Sequence, residues 1–183
     1  MKPVLVASLV VFGLLLPVVT VVHDTSWMIT SHQDHADTVN ASLVQDTQRA
    51  VADGSAIPAV YSEREQRHLQ DVRSLVVITE TLLVLAGLGG LAALFKQGLF
   101  EHASYWMTGI IAVVAVAGVA AFDATFTVFH ELFFTGDSYL FDPASTLIQT
   151  FPASFFADGF YHILVAWMMM LLSYAAITVI QRR

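Results

Sequence analysis

Four long apolar runs separated by polar segments dominate the pattern of this chain. They cover residues 4–22, 74–95, 105–129 and 160–180. Each run is long enough to cross a bilayer as a helix, because a hydrocarbon core of ~30 Å needs roughly 20 residues. We therefore expect an all-α membrane protein with four transmembrane helices. The two long connections, residues 23–73 and 130–159, belong to the same single integral membrane domain over residues 1–183.

The first long connection carries helical patterns of its own. Between residues 38 and 51 apolar side chains recur at helical spacing, and Asp37 occupies the position of an N-cap. A second helix is predicted over residues 61–72, where Ser62 and Glu65 have the spacing of a capping box. It leads directly into the second apolar run. We expect both to be short interfacial helices.

The second long connection is unusually apolar for a loop, and Pro143 and Pro152 keep it irregular. Its phenylalanines, together with the one that opens the fourth run, are Phe133, Phe134, Phe141, Phe151, Phe155, Phe156 and Phe160. A solvated loop would not carry so many rings, so we expect it to lie in the headgroup region. Phe133, Phe155 and Phe156 are candidates for substrate contact as well as for membrane anchoring.

Composition confirms the class of protein and excludes several functions. Hydrophobic residues make up 56% of the chain and charged residues 13%, whereas soluble domains carry about 25% charged residues. The net charge of −7 argues against nucleic acid as a partner and against attachment to anionic lipid through a basic patch. The chain has no cysteine, which excludes thiol nucleophiles, disulfides and thiolate metal sites.

The positions of lysine and arginine predict the orientation in the membrane. Lys2, Lys96 and the Arg182–Arg183 pair flank the short ends of the apolar runs, which indicates that these flanks and both termini are cytoplasmic. Four arginines in residues 23–73 point the other way, but they share a long acidic segment whose charge is a weaker determinant. The start of the chain also resembles a signal peptide. It lacks a small-x-small cleavage pattern, so we expect a retained helix.

Two histidines stand where apolar runs meet the predicted outer face. His68 shares one helix face with Glu65 and Asp71, because these residues are three apart. His130 ends a stripe with Asp123 and Thr127, which lie seven and three residues before it. 

Below this histidine layer we expect an acidic layer, formed by Asp123 and by Glu80 of the second run. Titratable groups at a membrane surface indicate proton-transfer chemistry on a membrane-bound substrate.

Three ordered sequence blocks resemble the Lit family, the lipoprotein intramolecular transacylases. The blocks are SERE at 62–65 with HLQDV at 68–72, FTVFH at 126–130 with FF at 133–134, and LIQTFP at 147–152 with FFAD at 155–158. The resemblance implies four membrane spans and paired catalytic histidines at His68 and His130. It also implies transfer of an ester-linked acyl chain from the glyceryl group of a diacylglyceryl-modified lipoprotein to the α-amine of its lipidated cysteine. The product would be a lyso-form lipoprotein in the cell membrane, made on the extracytoplasmic side.

The residue types suit this chemistry. A neutral histidine can take the proton of an amine, and a second, protonated imidazole can stabilise the oxyanion and supply a proton to the leaving oxygen. Either histidine could be the base. Glu65, Asp71, Glu80, Asp123 and Thr127 are candidates for supporting them. We expect neither a covalent enzyme intermediate nor a cofactor, and we expect membrane lipids as further partners.

Other interpretations of the polar residues remain open. A His/Asp/Glu metal site could use His23, His32, Asp34 and His35, although their spacing matches no closed four-ligand pattern. His162, four residues after Asp158, could line the site or only pair at a helix start. His102 is expected to be inert on the cytoplasmic side. A non-catalytic membrane scaffold is the alternative to an enzyme.

Overall fold

The computed structural model describes residues 2–35, 40–96 and 98–183, and these residues form eight helices. In chain order they are α1 (Lys2–His23), α2 (Thr25–His35), α3 (Ala41–Ala52), α4 (Glu63–Ala93), α5 (Leu99–Ala120), α6 (Phe122–Phe133), α7 (Thr146–Thr150) and α8 (Ala153–Gln181). The four that are long and apolar enough to cross a membrane are α1, α4, α5 and α8. This confirms the predicted all-α fold with four transmembrane helices.

The helix α4 joins an outer helix and a transmembrane span without a break. It begins at the capping box of Ser62 and Glu65, as predicted, and continues to Ala93. The apolar run that can cross the membrane starts at residue 74, so residues 63–73 form a polar extension outside it. This extension carries His68 beyond the membrane-spanning part of the helix, into the layer at that end of the bundle, which we call the outer layer after its predicted orientation.

The third predicted span differs from the observed helices. Residues 105–129 were expected to form one helix, but α5 starts earlier, at Leu99, and the helical backbone is interrupted at Ala121 (φ −154°, ψ 61°). At ~1.5 Å per residue, α5 is already ~33 Å long, which is enough to cross the hydrocarbon core alone. The helix α6 is therefore a separate element that can orient His130 independently of the span.

Three transmembrane helices share a core around Leu9 of α1, Met107 of α5 and Tyr174 of α8. The Tyr174 hydroxyl donates to the carbonyl of Leu9 at 2.6 Å, and the Trp167 indole N–H donates to the carbonyl of Leu14 at 2.8 Å. These bonds join α8 to α1 and satisfy polar atoms that would be costly to leave unpaired. The helix α4 packs along the other side of α1.

A second core lies in the outer layer, where α2, α3 and α7 pack on the start of α4 and α8. Its buried side chains include Val44, Tyr61, Leu69 and Phe155. The helix predicted over 38–51 is confirmed as α3, but Asn40 supplies the N-cap, accepting from the Leu43 amide at 3.1 Å. The proposed cap Asp37 lies outside the described residues. This layer covers the part of α4 that carries His68.

Candidate active site

The position of His68 follows from the way α4 begins. The Ser62 amide donates to Oε2 of Glu65 at 2.7 Å, and the Glu65 amide donates to Oγ of Ser62 at 3.4 Å. This reciprocal pair fixes the first turn of the helix. His68 follows one turn after Glu65 and is only 7% exposed.

Glu65 also ties the second outer loop to α4. Its Oε1 accepts from the amide of Leu147 at 2.7 Å, and the side chain is 3% exposed. Burial opposes ionisation of this carboxyl, but the hydrogen bonds from Leu147 and Ser62 outweigh it, so the pKa of Glu65 is lowered. Both oxygens accept backbone N–H groups. Glu65 therefore holds the loop in place, and neither of these bonds reaches an imidazole.

His130 is held by its own helix. Its Nδ1 lies 2.7 Å from the carbonyl oxygen of Phe126. Because a carbonyl only accepts, Nδ1 carries the proton, and Nε2 is the nitrogen that can accept or release a proton. The bond fixes the tautomer and directs the chemistry of His130 to Nε2.

The two imidazoles approach each other as expected from the sequence. The ring centroids of His68 and His130 are 6.1 Å apart, and their planes differ by 20°. His68 belongs to α4 and His130 to α6, so the contact joins two elements that are distant along the chain. One bridging group between the rings could be within reach of both.

Aromatic rings enclose the histidine pair. Phe134 lies 4.9 Å from His68 and 5.3 Å from His130 between centroids, so it contacts both. Phe141 lies 5.4 Å from His68, and Tyr139 lies 5.1 Å from His130. The rings come from the loop after α6 and leave the imidazoles in apolar surroundings. Such an enclosure would keep water from an acyl ester.

These surroundings make His68 a neutral imidazole. Burial lowers the pKa of His68 below its usual value of 6.5, the neighbouring His130 lowers it further, and Asp71 partly opposes both effects. Its Nδ1 is buried and has no hydrogen-bond partner within the described residues. A neutral imidazole with an unpaired nitrogen is suited to accept a proton from a substrate.

Two of the carboxylates predicted to support the pair, Glu80 and Asp123, have other surroundings in the structure. Oε1 of Glu80 lies 2.6 Å from Nε2 of His23, so Glu80 pairs with the end of α1. It is also twelve residues beyond His68, or ~18 Å along the helix. Asp123 is exposed in the first turn of α6, where a negative charge stabilises a helix N-terminus. Thr127 donates its hydroxyl to the Asp123 carbonyl.

The three candidate phenylalanines lie in different surroundings. Phe155 is buried against Trp27 and Phe151 in the outer core. Phe156 contacts Phe126, which in turn packs on His130 at 4.3 Å. Phe133 is exposed and contacts Phe129. Phe129 also packs on His130, at 5.5 Å. Phe156 and Phe133 are thus each connected to the pair through a single ring, while Phe155 is part of the core.

Three of the other histidines, His23, His32 and His162, have different neighbours. His23 pairs with Glu80, and His32 is 1% exposed and packs on Phe151. His162 lies 3.7 Å from the carboxylate of Asp158 and contacts Trp27. No group of three or more potential ligands that could hold a metal ion occurs among the side chains that the structure describes. Burial of His32 was not expected from its polar sequence neighbours.

The family of the chain is decided by its sequence as a whole. Residues 4–156 match the family model described as "Lipoprotein intramolecular transacylase Lit". The chain belongs to the Lit family. It is therefore a membrane-integral lipoprotein intramolecular transacylase, an acyltransferase whose substrates are lipoproteins. This assignment favours the enzyme over the scaffold that the sequence left open.

Solved structures show that the fold is that of Lit. The chain resembles the membrane-integral lipoprotein intramolecular transacylase Lit from Bacillus cereus with a TM-score of 0.78 and 19% identity, over 99% of this chain and 95% of that chain. Structures of that protein with a histidine-to-arginine and a histidine-to-alanine substitution give TM-scores of 0.73 and 0.70, both at 18% identity. They cover 99% of this chain in both cases and 92% and 93% of those chains, respectively. No curated protein sequence matches the chain.

Two cavities lie toward the end of this Lit protein that carries the histidine pair, and neither is lined by His68 or His130. One, of about 430 Å³, lies beside the first turns of α4. The other, of about 590 Å³, is an apolar groove between α1 and α8 that His162 and Asp158 line. The rings of Phe134 and Phe141 pack directly on His68.

Sequence reasoning missed several contacts of the Lit site. The ring of Tyr139 against His130 and the pairing of His23 with Glu80 were not anticipated. The aromatic content of the loop was a signal for the former. No local signal identifies the latter, because the partners are 57 residues apart.

Proposed function

We propose that this Lit protein transfers an ester-linked acyl chain from the glyceryl group of a lipoprotein to the α-amine of its lipidated cysteine, with His68 and His130 as catalytic residues. The product is an N-acylated lyso-form lipoprotein. The observation that carries the proposal is the approach of the two imidazoles to 6.1 Å inside an aromatic enclosure. The family assignment supplies the reaction class.

His68 is the general base in this proposal. The unprotonated α-amine attacks the ester carbonyl carbon, which forms the C–N bond and a tetrahedral intermediate. The neutral imidazole takes the proton that the nitrogen then carries. It returns this proton to the glyceryl oxygen as the C–O bond breaks. His68 ends the cycle neutral, so protons balance within one turnover. Its unpaired Nδ1 supports this role.

His130 stabilises the oxyanion. Its Nδ1–H is engaged by Phe126, so its protonated form presents a single N–H at Nε2. A positive charge there would stabilise the tetrahedral oxyanion in surroundings of low dielectric. The same charge favours the neutral form of His68, in line with the direction in which His130 shifts its pKa. The two histidines thus have complementary charge states.

The predicted topology puts this reaction on the extracytoplasmic side. The end of α8 lies beside the turn between α4 and α5, because Arg182 pairs with Glu101 at 2.5 Å and Gln181 donates to the Leu94 carbonyl at 3.0 Å. The cationic flanks thus gather at one end of the bundle. His68 lies near the opposite end of α4, at its N-terminus. Positive flanks favour the cytoplasm.

The test is single substitution of each histidine. We expect His68→Ala and His130→Ala to lower acyl transfer by about 100- to 10,000-fold while each protein still folds and inserts. His102→Ala is the matched control, since this exposed side chain contacts its own helix start and should leave activity unchanged. His32→Ala is unsuitable as a control because His32 is buried. Wild-type rates in both site variants would overturn the proposed roles.

A further inference from the structure

A polar cavity lies beside the histidine pair, between the first turns of α4 and the loop that follows α6. Its volume is about 430 Å³, within the range of roughly 300–1,000 Å³ that is typical of ligand sites. Its lining residues are Arg64, Arg67, Gln70, Asp71, Asp137 and Ser138. These residues have no role in the proton transfers described above.

A layer of aromatic rings separates the cavity from the imidazoles. The Arg64 guanidinium donates to the backbone carbonyl of Asp137 and lies 5.5 Å from the ring centre of Phe141, which packs on His68. On the other side, Ser138 precedes Tyr139, whose ring packs on His130. A molecule that reaches both the cavity and the pair would cross one layer of rings.

Two polar groups of the cavity, on Arg67 and Ser138, have no partner among the residues that the structure describes. Arg67 makes no hydrogen bond or ion pair with any residue that the structure describes, although Asp71 follows it by one helical turn. The hydroxyl of Ser138 is buried and has no partner among the described residues. Buried polar atoms in native proteins usually have a partner, so the Ser138 hydroxyl indicates a ligand-facing surface. Arg67 is exposed, and its guanidinium is free to donate to a ligand at this surface.

The mixture of charges decides which ligand suits the cavity. A lipid phosphate needs donors alone, and the carboxylates of Asp71 and Asp137 would repel it. A peptide backbone alternates N–H donors with carbonyl acceptors, which matches arginines beside carboxylates. In the proposed reaction, a peptide must continue from the lipidated cysteine toward the aqueous side.

We propose that this cavity binds the peptide segment that follows the lipidated cysteine of the substrate. Arg67 donates to a peptide carbonyl, and Asp71 or Asp137 accepts a peptide N–H. The acyl ester and the α-amine then lie on the other side of the aromatic layer, at the histidines. This inference rests on the proposed function and adds the determinant of peptide recognition to it.

The experiment compares two substrates and two arginines. One substrate is a diacylglyceryl-modified lipopeptide with several residues after the cysteine, and the other is diacylglyceryl-cysteine amide without a peptide. We expect Arg67→Gln to raise KM for the lipopeptide at least about tenfold, with kcat little changed, because a charge-assisted hydrogen bond is lost. Turnover of the cysteine amide should be unaffected. Arg49→Gln, an exposed arginine of α3 that pairs with Asp46, should change neither.

Binding is measured separately, so that the inference can be judged without activity. A fluorescent lipopeptide with non-transferable ether-linked chains should bind Arg67→Gln at least about tenfold more weakly than wild type, and the matching cysteine amide equally well. Equal weakening for both ligands, or no weakening, would overturn the inference. A loss of affinity that appears only with anionic lipid in the vesicles would also overturn it, in favour of a headgroup site.

The two proposals fail in different ways. If wild type binds the lipopeptide through Arg67 but transfers no acyl chain, the proposed function is wrong and the peptide site remains. If the wild-type protein and the Arg67→Gln variant transfer the acyl chain with equal efficiency on both substrates, the proposed reaction stands and the proposed peptide site is wrong. Thermal unfolding of the Arg67→Gln variant, expected to match wild type because the side chain is exposed, excludes misfolding as the cause.

Discussion

Replacing Glu65 by glutamine separates an anchoring role from a catalytic one. The carboxylate accepts two backbone N–H groups, from Ser62 and from Leu147, at 2.7 Å each. A glutamine side chain has only one oxygen. In Glu65→Gln the side-chain NH₂ therefore faces one of the two backbone N–H groups, both of which are donors, and that buried N–H is left unpaired. Losing a charge-assisted bond and leaving a donor unpaired costs about 2–3 kcal/mol.

Hydrogen exchange provides the assay. If the loop opens locally at this bond, a loss of about 2–3 kcal/mol corresponds to exchange at the Leu147 amide that is ~30- to ~150-fold faster. Acyl transfer should fall as well, because the aromatic rings over the histidines belong to the same loop. Glu63→Gln is the matched control, since Glu63 is exposed in the same first turn of α4.

Two results would contradict the anchoring role of Glu65. The anchoring role is wrong if Glu65→Gln and Glu63→Gln have the same exchange rate at Leu147. If Glu65→Gln abolishes acyl transfer while the Leu147 amide stays protected, Glu65 acts at the histidines, as the sequence analysis had suggested.

The pH dependence of stability gives an independent check on Glu65. Its pKa is lowered on folding, so its contribution to stability is fully present above the unfolded-state pKa near 4.5 and is lost as pH falls through the lower folded-state pKa. Glu65→Gln should remove this component of acid destabilisation. The free energy of unfolding, measured with denaturant, is compared between the two proteins at acidic pH. If it falls with pH equally in both, the lowered pKa of Glu65 contributes nothing to folding.

Three further expectations can be tested together. In His130→Gln, the pKa of His68 measured by NMR titration should rise part of the way toward 6.5, because one of the two causes of its lowering is removed. An unchanged pKa would contradict the electrostatic effect of His130 on His68. Glu80→Gln should reduce thermal stability but leave acyl transfer close to wild type, since Glu80 pairs with the end of α1, and a selective loss of transfer would restore its catalytic interpretation. Reporter fusions at Asp53 and Ser145 should report the extracytoplasmic side; a cytoplasmic signal at either would reverse the proposed orientation.

Local sequence signals predicted much of the framework. The capping box at Ser62 and Glu65 set the start of α4, and the apolar runs predicted the four spans, because both depend on residues within a few turns of one another. The approach of His68 and His130 was also predictable. Each histidine lies where a hydrophobic run meets a polar segment, and two such boundaries on one side of a membrane share the same depth.

Contacts between distant elements could not be predicted in the same way. The pairing of Glu80 with His23 depends on α1 packing along α4, which helical periodicity does not reveal. The interruption at Ala121 was missed because the apolar run continues through it without proline. The depth of Asp123 was counted along one straight helix, whereas Asp123 lies after the interruption, in the exposed first turn of α6.

A crossover experiment tests most directly whether this protein transfers an acyl chain within one lipoprotein. Two diacylglyceryl lipopeptides of different peptide mass, one with deuterated acyl chains, are mixed with the purified wild-type protein, and the products are analysed by mass spectrometry. We expect N-acylated lyso-form products in which every peptide keeps chains of its own label. Products that carry the label of the other peptide, or an absence of N-acylated product, would contradict it.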